Sequence, residues 1–259
     1  MGFMSLETQK MKYLTKLDEA FERTKLSGLT KKIVILQKQT QMFGWIKNGT
    51  SWKATNHVIY PLASAEHPTT VKKLRGWLGA FKQVTACIKN YAPTIGALES
   101  AVAGKSSQEK VRWTPVMMKA FELAKESIRD VQPIHCPKPT DVLEFYPDYS
   151  EEQNAIGGWM KIIRPATKDK PEEKLLGGHF SQRLGPRKNR IIPCEGEALA
   201  CRCLINHYRN YLRESKTTAT VFSDNLPVCQ AWKKMKTGVW SKSSKVATLR
   251  TSSPARSKA

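Results

Sequence analysis

The sequence predicts an α/β fold, with an α+β part ahead of it, and two observations carry that expectation. Between residues 141 and 236, short β-branched runs alternate with segments of helical period. Three acids stand at the joints: Asp148 ends an apolar run, Glu197 opens an amphipathic segment, and Asp224 ends a second β-branched run. An α/β sheet puts strand ends and helix starts on one rim, where such acids can converge. Converging carboxylates repel by roughly 4 kcal/mol per pair at ~4 Å and an effective dielectric near 20. Either they stand apart or something cationic holds them, and Mg²⁺ suits hard oxygen ligands.

The chain has 259 residues, enough for one large domain or two modest ones, and 40% of them are hydrophobic. It carries 43 Lys and Arg against 22 Asp and Glu, a formal charge of +21. Such a balance favours a polyanionic partner, nucleic acid above all. Residues 225–259 hold eight basic groups and no acid, which leaves +13 on the remainder. The basic character therefore belongs to the folding part as well as the tail. The six cysteines form no C-x-x-C pair, so neither a zinc site nor a disulfide framework is expected. Reduced thiols and the absence of a signal-peptide core point to the cytoplasm or nucleus, not secretion. No apolar run reaches the ~18 residues of a membrane span. The oligomeric state is not fixed by the sequence.

In order, residues 7–26 read as a helix, with Leu14, Leu17, Ala20 and Phe21 at helical spacing. Lys32–Leu36 and Gln41–Lys47 read as short strands of a hairpin or meander, Met42-Phe43-Gly44-Trp45 being its apolar centre and Asn48-Gly49 a turn. Residues 60–68, with Pro61 and Pro68, read as a linker. Thr69 or Thr70 then caps a helix to about Lys89, with Val71, Leu74, Leu78 and Phe81 as its buried stripe. Lys72, Lys73 and Arg75 lie off that stripe, on a face that is either simply solvated or laid along a phosphate backbone. Residues 90–104 read as helix or turn. Another helix starts at Trp113-Thr114-Pro115 and buries Phe121, Leu123, Ala124 and Ile128. Val142–Tyr149, Ala155–Arg164, Lys174–Ser181 and Thr217–Ser223 read as strands, with Pro147 indicating an edge or bulge. Residues 182–192 form a basic loop holding Arg183, Arg187, Lys188 and Arg190. Pro193 starts a helix to about Glu214, and Asn225 opens a last one to Lys236. Beyond Thr237 the composition is that of a disordered basic tail. Trp45, Trp77, Trp113 and Trp159 are expected in the core, and neither His179 nor His207 is given a catalytic role.

The order β-β-β-α-β-α, with acids at these three joints, resembles a ribonuclease H domain. The wording around the acids is similar to the RNase H region of LTR-retrotransposon polyproteins of gypsy or Bel/Pao type. It runs Asp148-Tyr-Ser, Ala155-Ile-Gly-Gly, Gly178-His-Phe-Ser-Gln-Arg-Leu, Glu195-Gly-Glu197-Ala-Leu-Ala and Ser-Asp224-Asn. Upstream, Met42-Phe-Gly-Trp and His67-Pro-Thr-Thr-Val-Lys-Lys-Leu-Arg-Gly-Trp-Leu-Gly-Ala resemble the stretch of those polyproteins between palm and RNase H. The resemblance covers nearly all of residues 10–236. It implies an RNase H-like mixed sheet flanked by helices, preceded by a small hairpin and a helical thumb or connector. Residues 1–60 would be a palm remnant whose Met42–Trp45 hairpin is the primer grip. Residues 61–136 would be thumb and connector, 137–236 the RNase H-like domain, and 237–259 the tail.

The family's metal-binding acids fall on Asp148, Glu197 (with Glu195 as second choice) and Asp224. The implied chemistry is hydrolysis of RNA in an RNA–DNA hybrid by two Mg²⁺ ions ~3.5–4 Å apart. Two departures qualify this. The palm's Tyr-x-Asp-Asp turn is absent, so no DNA synthesis is expected. No Asp, Glu or His follows Asp224, so the family's fourth acid is missing, the second ion is weakly held and turnover is slow. The sequence therefore reads as a polyprotein fragment or a degenerate copy. Each acid also has a plain structural reading. Glu195 and Glu197 suit a helix's first turn, Asp224 or Asn225 a cap, and Asp148 a turn. The alternative function is a catalytically inactive module that binds hybrids or other nucleic acid. A third reading is a product that scarcely folds.

Overall fold

The structure is a computed structural model, and it describes residues 15, 16, 19, 22, 39–129, 131–185 and 191–236. The chain divides into two units, Met1–Thr40 and Gln41–Ala259. In the first unit residues 15, 16, 19 and 22 are helical. The rest of the helix expected over 7–26, the strand expected at Lys32–Leu36, Arg187, Lys188, Arg190 and the tail lie outside the described residues.

A meander opens the described part, with β1 (Gln39–Met42), β2 (Trp45–Asn48) and β3 (Ser51–Ala54). With β4 (Ile134–His135) they form a sheet of order β1-β2-β3-β4. Met42-Phe43-Gly44 is not the apolar centre the sequence implies. Phe43 and Gly44 form the turn, both at positive φ, and Phe43 is 88% exposed. Only Trp45 of the four packs against the core.

The stretch expected as a linker begins instead as helix α1 (Asn56–Ala63), which contains Pro61. Val58, Ile59 and Leu62 recur at helical spacing, and Leu62 is buried. The Trp77 indole N–H donates to the Leu62 carbonyl at 3.2 Å, so burial outweighs the hydrogen bond Pro61 lacks. Next comes α2 (Val71–Gln83), capped by Thr70, whose hydroxyl accepts from the Lys73 N–H. It stops six residues short of Lys89, in a 3₁₀ turn at Thr85–Cys87. Helices α3 (Tyr91–Val102) and α4 (Pro115–Arg129) complete a helical layer. Leu74, Phe81, Leu98, Phe121 and Ile128 lie at its centre. Leu123 is 46% exposed, because the buried phase of α4 runs through Met117, Ala120, Phe121, Ala124 and Ile128.

The second sheet has the order β7-β6-β5-β8. Its long strands are β5 (Val142–Ser150), β6 (Ala155–Arg164) and β7 (Glu173–Arg183), paired antiparallel in sequence. β8 (Thr220–Val221) adds to β5 in parallel. β5 is thus an interior strand despite Pro147. The Phe222 N–H donates to the Phe145 carbonyl, so residues 145 and 147 present their backbone groups toward β8. β8 pairs only with Glu144 and Phe145, so no ladder bond is asked of Pro147. β8 is shorter than the expected Thr217–Ser223 because Thr217 is held in a turn. Its N–H donates to Ser215 Oγ and its hydroxyl to the Asp141 carbonyl.

Helix α5 (Pro193–His207) covers one face of this sheet, where Leu204 and Tyr208 meet Leu143, Phe145, Met160 and Ile162. The expected single helix to Glu214 breaks at Tyr208, where ψ is 15°, and α6 (Arg209–Glu214) follows. Asn225 caps α7 (Leu226–Lys236) through its Oδ1, which accepts from the Val228 N–H. No described helix is long and apolar enough to cross a membrane.

One buried ion pair fastens the start of β5. Asp141, fully buried, accepts from Arg164 Nη2 at 3.0 Å and from the Lys138 N–H at 2.9 Å. Arg164→Ala leaves that carboxylate uncompensated and is expected to cost about 3–5 kcal/mol in urea unfolding. A loss below 1 kcal/mol would mean water replaces the guanidinium.

Candidate functional site

The first turn of α5 lies over the end of β5, and glycine permits that approach. A side chain at Gly196 would overlap the Tyr149 ring. Glu197, the next residue, is consequently 8% exposed. The backbone N–H of Tyr149 donates to its carboxylate, while Oε2 is buried with no hydrogen-bond partner. Burial raises its pKa from the ordinary 4.5 to about 7, and the charges of Asp224 and Asp148 add to the rise. The Tyr149 hydrogen bond opposes it.

The register explains how the other two acids come near. Glu144 pairs with Thr220 and Phe145 with Val221. The Tyr146 and Phe222 rings stack at 5.1 Å and 10°. Two residues further along each chain stand Asp148 and Asp224, both exposed. Along β5, Leu143, Phe145 and Pro147 are buried, and Leu143 and Phe145 share the core with α5. Asp148 is out of phase with them, whereas Glu197 approaches from α5 itself. Glu197 feels the charges of Asp224 and Asp148 around the strand end, but the three carboxylates do not close into a cage. Among the described residues, no group of three His, Cys, Asp or Glu is arranged to hold a metal ion. In kind, the donors fit a hard divalent cation: all are carboxylate oxygens, one is orphaned, and the mutual repulsion asks for positive charge. Glu195, in the same helical turn, is only half-buried.

The basic residues expected on nucleic acid differ in what else they do. Lys72 and Lys73 are exposed. Arg75 spends its Nη2 on the Val102 and Lys105 carbonyls, both at 2.7 Å, and so ties down the end of α3. Arg183 Nη1 donates to the Gly96 carbonyl at 2.9 Å, a contact that the missing side chain of Gly96 leaves room for. The Ser181 hydroxyl accepts from the Ala92 N–H, fastening the start of α3 to β7. Residue type alone does not separate these tethering arginines from free ones. Gly196 and Tyr149, missed as site residues, were signalled by the glycine between two acids in Glu195-Gly196-Glu197.

Neither His179 nor His207 titrates upward. Burial and Lys89 bring His179 down to about 4, and burial lowers His207. All six cysteines are free, and burial pushes Cys201 up to about 12. Trp77 is buried and Trp113 donates its indole N–H to the Pro68 carbonyl, while Trp159 is half-buried and stacks on Tyr146 at 4.5 Å.

Glu197 should make stability fall with pH. Its folded pKa lies above its unfolded one, so the folded chain keeps a proton that the unfolded chain has released. Stability is therefore full below pH 4.5, declines toward pH 7, and stays reduced by about 3 kcal/mol above it. Glu197→Gln should raise the metal-free melting temperature at pH 8 by several degrees and leave it unchanged near pH 4.5. Equal gains at both pH values would show that packing, not charge, is responsible.

No sequence-family model and no curated protein sequence matches the chain. Solved structures do. The foamy viral protease-reverse transcriptase in complex with an RNA/DNA hybrid is similar with a TM-score of 0.65 and 14% identity, over 97% of this chain and 32% of that one. The same kind of protein in complex with double-stranded DNA gives 0.63 and 15%, over 86% and 45%. A form designated dRH, also with double-stranded DNA, gives 0.64 and 13%, over 83% and 36%. The chain thus spans less than half the length of these neighbours. At such identities the likeness is one of fold, and the fold is of the retroviral reverse transcriptase and RNase H-like type.

Proposed function

We propose that this chain is a segment of a retrotransposon reverse transcriptase of gypsy or Bel/Pao type, and that it binds RNA–DNA hybrids. In this reading residues 1–60 are the end of a palm and 61–136 thumb and connector. Residues 137–236 are an RNase H-like domain and 237–259 a basic tail. Asp148, Glu197 and Asp224 are its Mg²⁺ ligands. The observation that carries the reading is the buried Glu197, with an orphaned oxygen and a raised pKa, flanked by the charges of two further acids beside the central strand. Hybrid-bound neighbours of the same fold, and a formal charge of +21, support the partner.

When bound, Mg²⁺ would supply an activated water and shield the phosphate leaving oxygen. The chain's own contribution is to hold the carboxylates. Gly196 lets α5 approach, Tyr149 orients one oxygen of Glu197 through its N–H, and the register brings Asp224 toward Asp148. Lys72, Lys73 and the basic loop with Arg187, Lys188 and Arg190 would follow the phosphate backbone. Met42 to Trp45 would touch the primer end. Free thiols fit work in the cytoplasm or nucleus.

A second reading, binding without cleavage, is favoured by one observation. Asp148 is out of phase with the β5 residues that face α5, the helix that carries Glu197. Mg²⁺-dependent cutting of an end-labelled hybrid distinguishes the two readings. The nuclease reading expects slow cleavage, abolished by Asp148→Asn with hybrid affinity retained. Binding without cutting at any Mg²⁺ concentration would leave the second. Either way, with about six phosphate contacts the affinity should fall with salt at a log–log slope near −5. A slope near zero would remove nucleic acid as the partner.

A further inference from the structure

The acids use one end of the sheet, but the molecule also has an open cleft elsewhere that no carboxylate lines. It lies between α1 and the last turn of α4, has a volume of about 510 Å³, and is lined by Asn56, Ile59, Tyr60, Ala63, Ser64 and Arg129. Its size falls in the range of small-ligand sites, ~300–1,000 Å³.

Three features of the lining specify a ligand. Tyr60 is 73% exposed and no ring stacks on it among the described residues, so a π-face is available. Arg129 is exposed and makes neither an ion pair nor a side-chain hydrogen bond among the described residues, whereas Arg164 is ion-paired and Arg75 and Arg183 donate to backbone carbonyls. Ile59 and Ala63 supply apolar wall, and Asn56 an amide able to donate and accept. A flat apolar face beside a guanidinium with no ion pair among the described residues suits a planar ring joined to an anion. An acidic peptide would use the guanidinium but leave the ring idle, and an apolar peptide would bury Arg129 unpaired at a cost.

We propose that this cleft binds one nucleotide of an unpaired nucleic-acid strand, with the base stacked on Tyr60 and its phosphate on Arg129. Stacking on an aromatic ring needs a base free of its own stack, which a duplex does not offer. The proposal therefore adds a single-strand contact to a chain whose hybrid binding rests on other residues. It does not depend on metal or cleavage.

The experiment is a fluorescence-anisotropy titration of the full chain with a labelled 12-residue oligo(dT), and separately with a labelled hybrid, both without Mg²⁺. Tyr60→Ala should weaken oligo(dT) binding by about tenfold, and Tyr60→Phe, which keeps the ring, should not. Arg129→Ala should reduce the salt slope by about 0.7, the share of one phosphate on a single strand. Hybrid affinity should stay within twofold of wild type for all three. Both positions are exposed, so an unchanged melting temperature will show that the variants fold. Oligo(dT) binding indifferent to Tyr60→Ala and Arg129→Ala would overturn the proposal. So would equal losses for oligo(dT) and hybrid, because the cleft would then be part of the duplex track. Displacement of oligo(dT) by a poly-glutamate peptide that responds to Arg129→Ala alone would also overturn it in favour of an acidic protein partner.

Discussion

The close approach of α5 to β5 is the constraint on which the candidate site depends, and two glycines make it possible. A side-chain carbon on Gly158 would come within 2.8 Å of Leu204 and 2.6 Å of the Tyr146 carbonyl, and its φ of 152° is itself unfavourable for other residues. Gly196 does the same for the Tyr149 ring. Between them the helix seats Leu204 and Tyr208 on Phe145 and so buries Glu197 two turns before Leu204. The carboxylate's desolvation, its orphaned oxygen and its raised pKa all follow from how near the helix lies. Function and packing share a cause here: hydrophobic burial of one part of α5 offsets the cost of burying an acid in another.

A second set of contacts fixes α3 against the β7 edge. Ser181 accepts from the start of the helix and Arg183 holds its middle, while Arg75, from α2, ties its end within the helical layer. Helical layer and sheet thus meet through hydrogen bonds to backbone carbonyls and N–H groups, which tolerate little rotation. This keeps the lysine face of α2 in a fixed relation to the acids. It also divides the basic residues into two kinds, those whose donors are spent on the fold and those whose donors face solvent.

Much of this was legible in the sequence because it rests on period. The stripe Val71, Leu74, Leu78, Phe81 and the β-branched runs of β5, β6 and β7 carry their own repeat, and burial follows it. What failed did so where a local signal met a tertiary one. Pro61 reads as a breaker, yet Leu62 and Trp77 hold α1 together. Pro147 reads as an edge or bulge, yet the strand is interior and tolerates the proline because β8 stops short of it. Met42 and Phe43 read as apolar core, yet a turn carries them outward. Leu123 is apolar and out of phase. The acids' spacing along the chain said that they stand at joints. It could not say that Asp148 leaves β5 on the opposite phase to the residues facing α5, because that depends on which alternation the core selects.

The brevity of β8 has a further consequence. Among the described residues it is one of the two outermost strands of its sheet, and a row of free backbone groups at a sheet's margin invites other chains to dock there and propagate. Two residues make a poor template. The chain turns away at Phe222 and re-enters a helix at Leu226, so an incoming strand would find almost nothing to copy. At this margin the sheet is too short to seed pairing and needs no charged or proline-studded border, whereas at the opposite margin β7 is long and α3 is fastened to it instead.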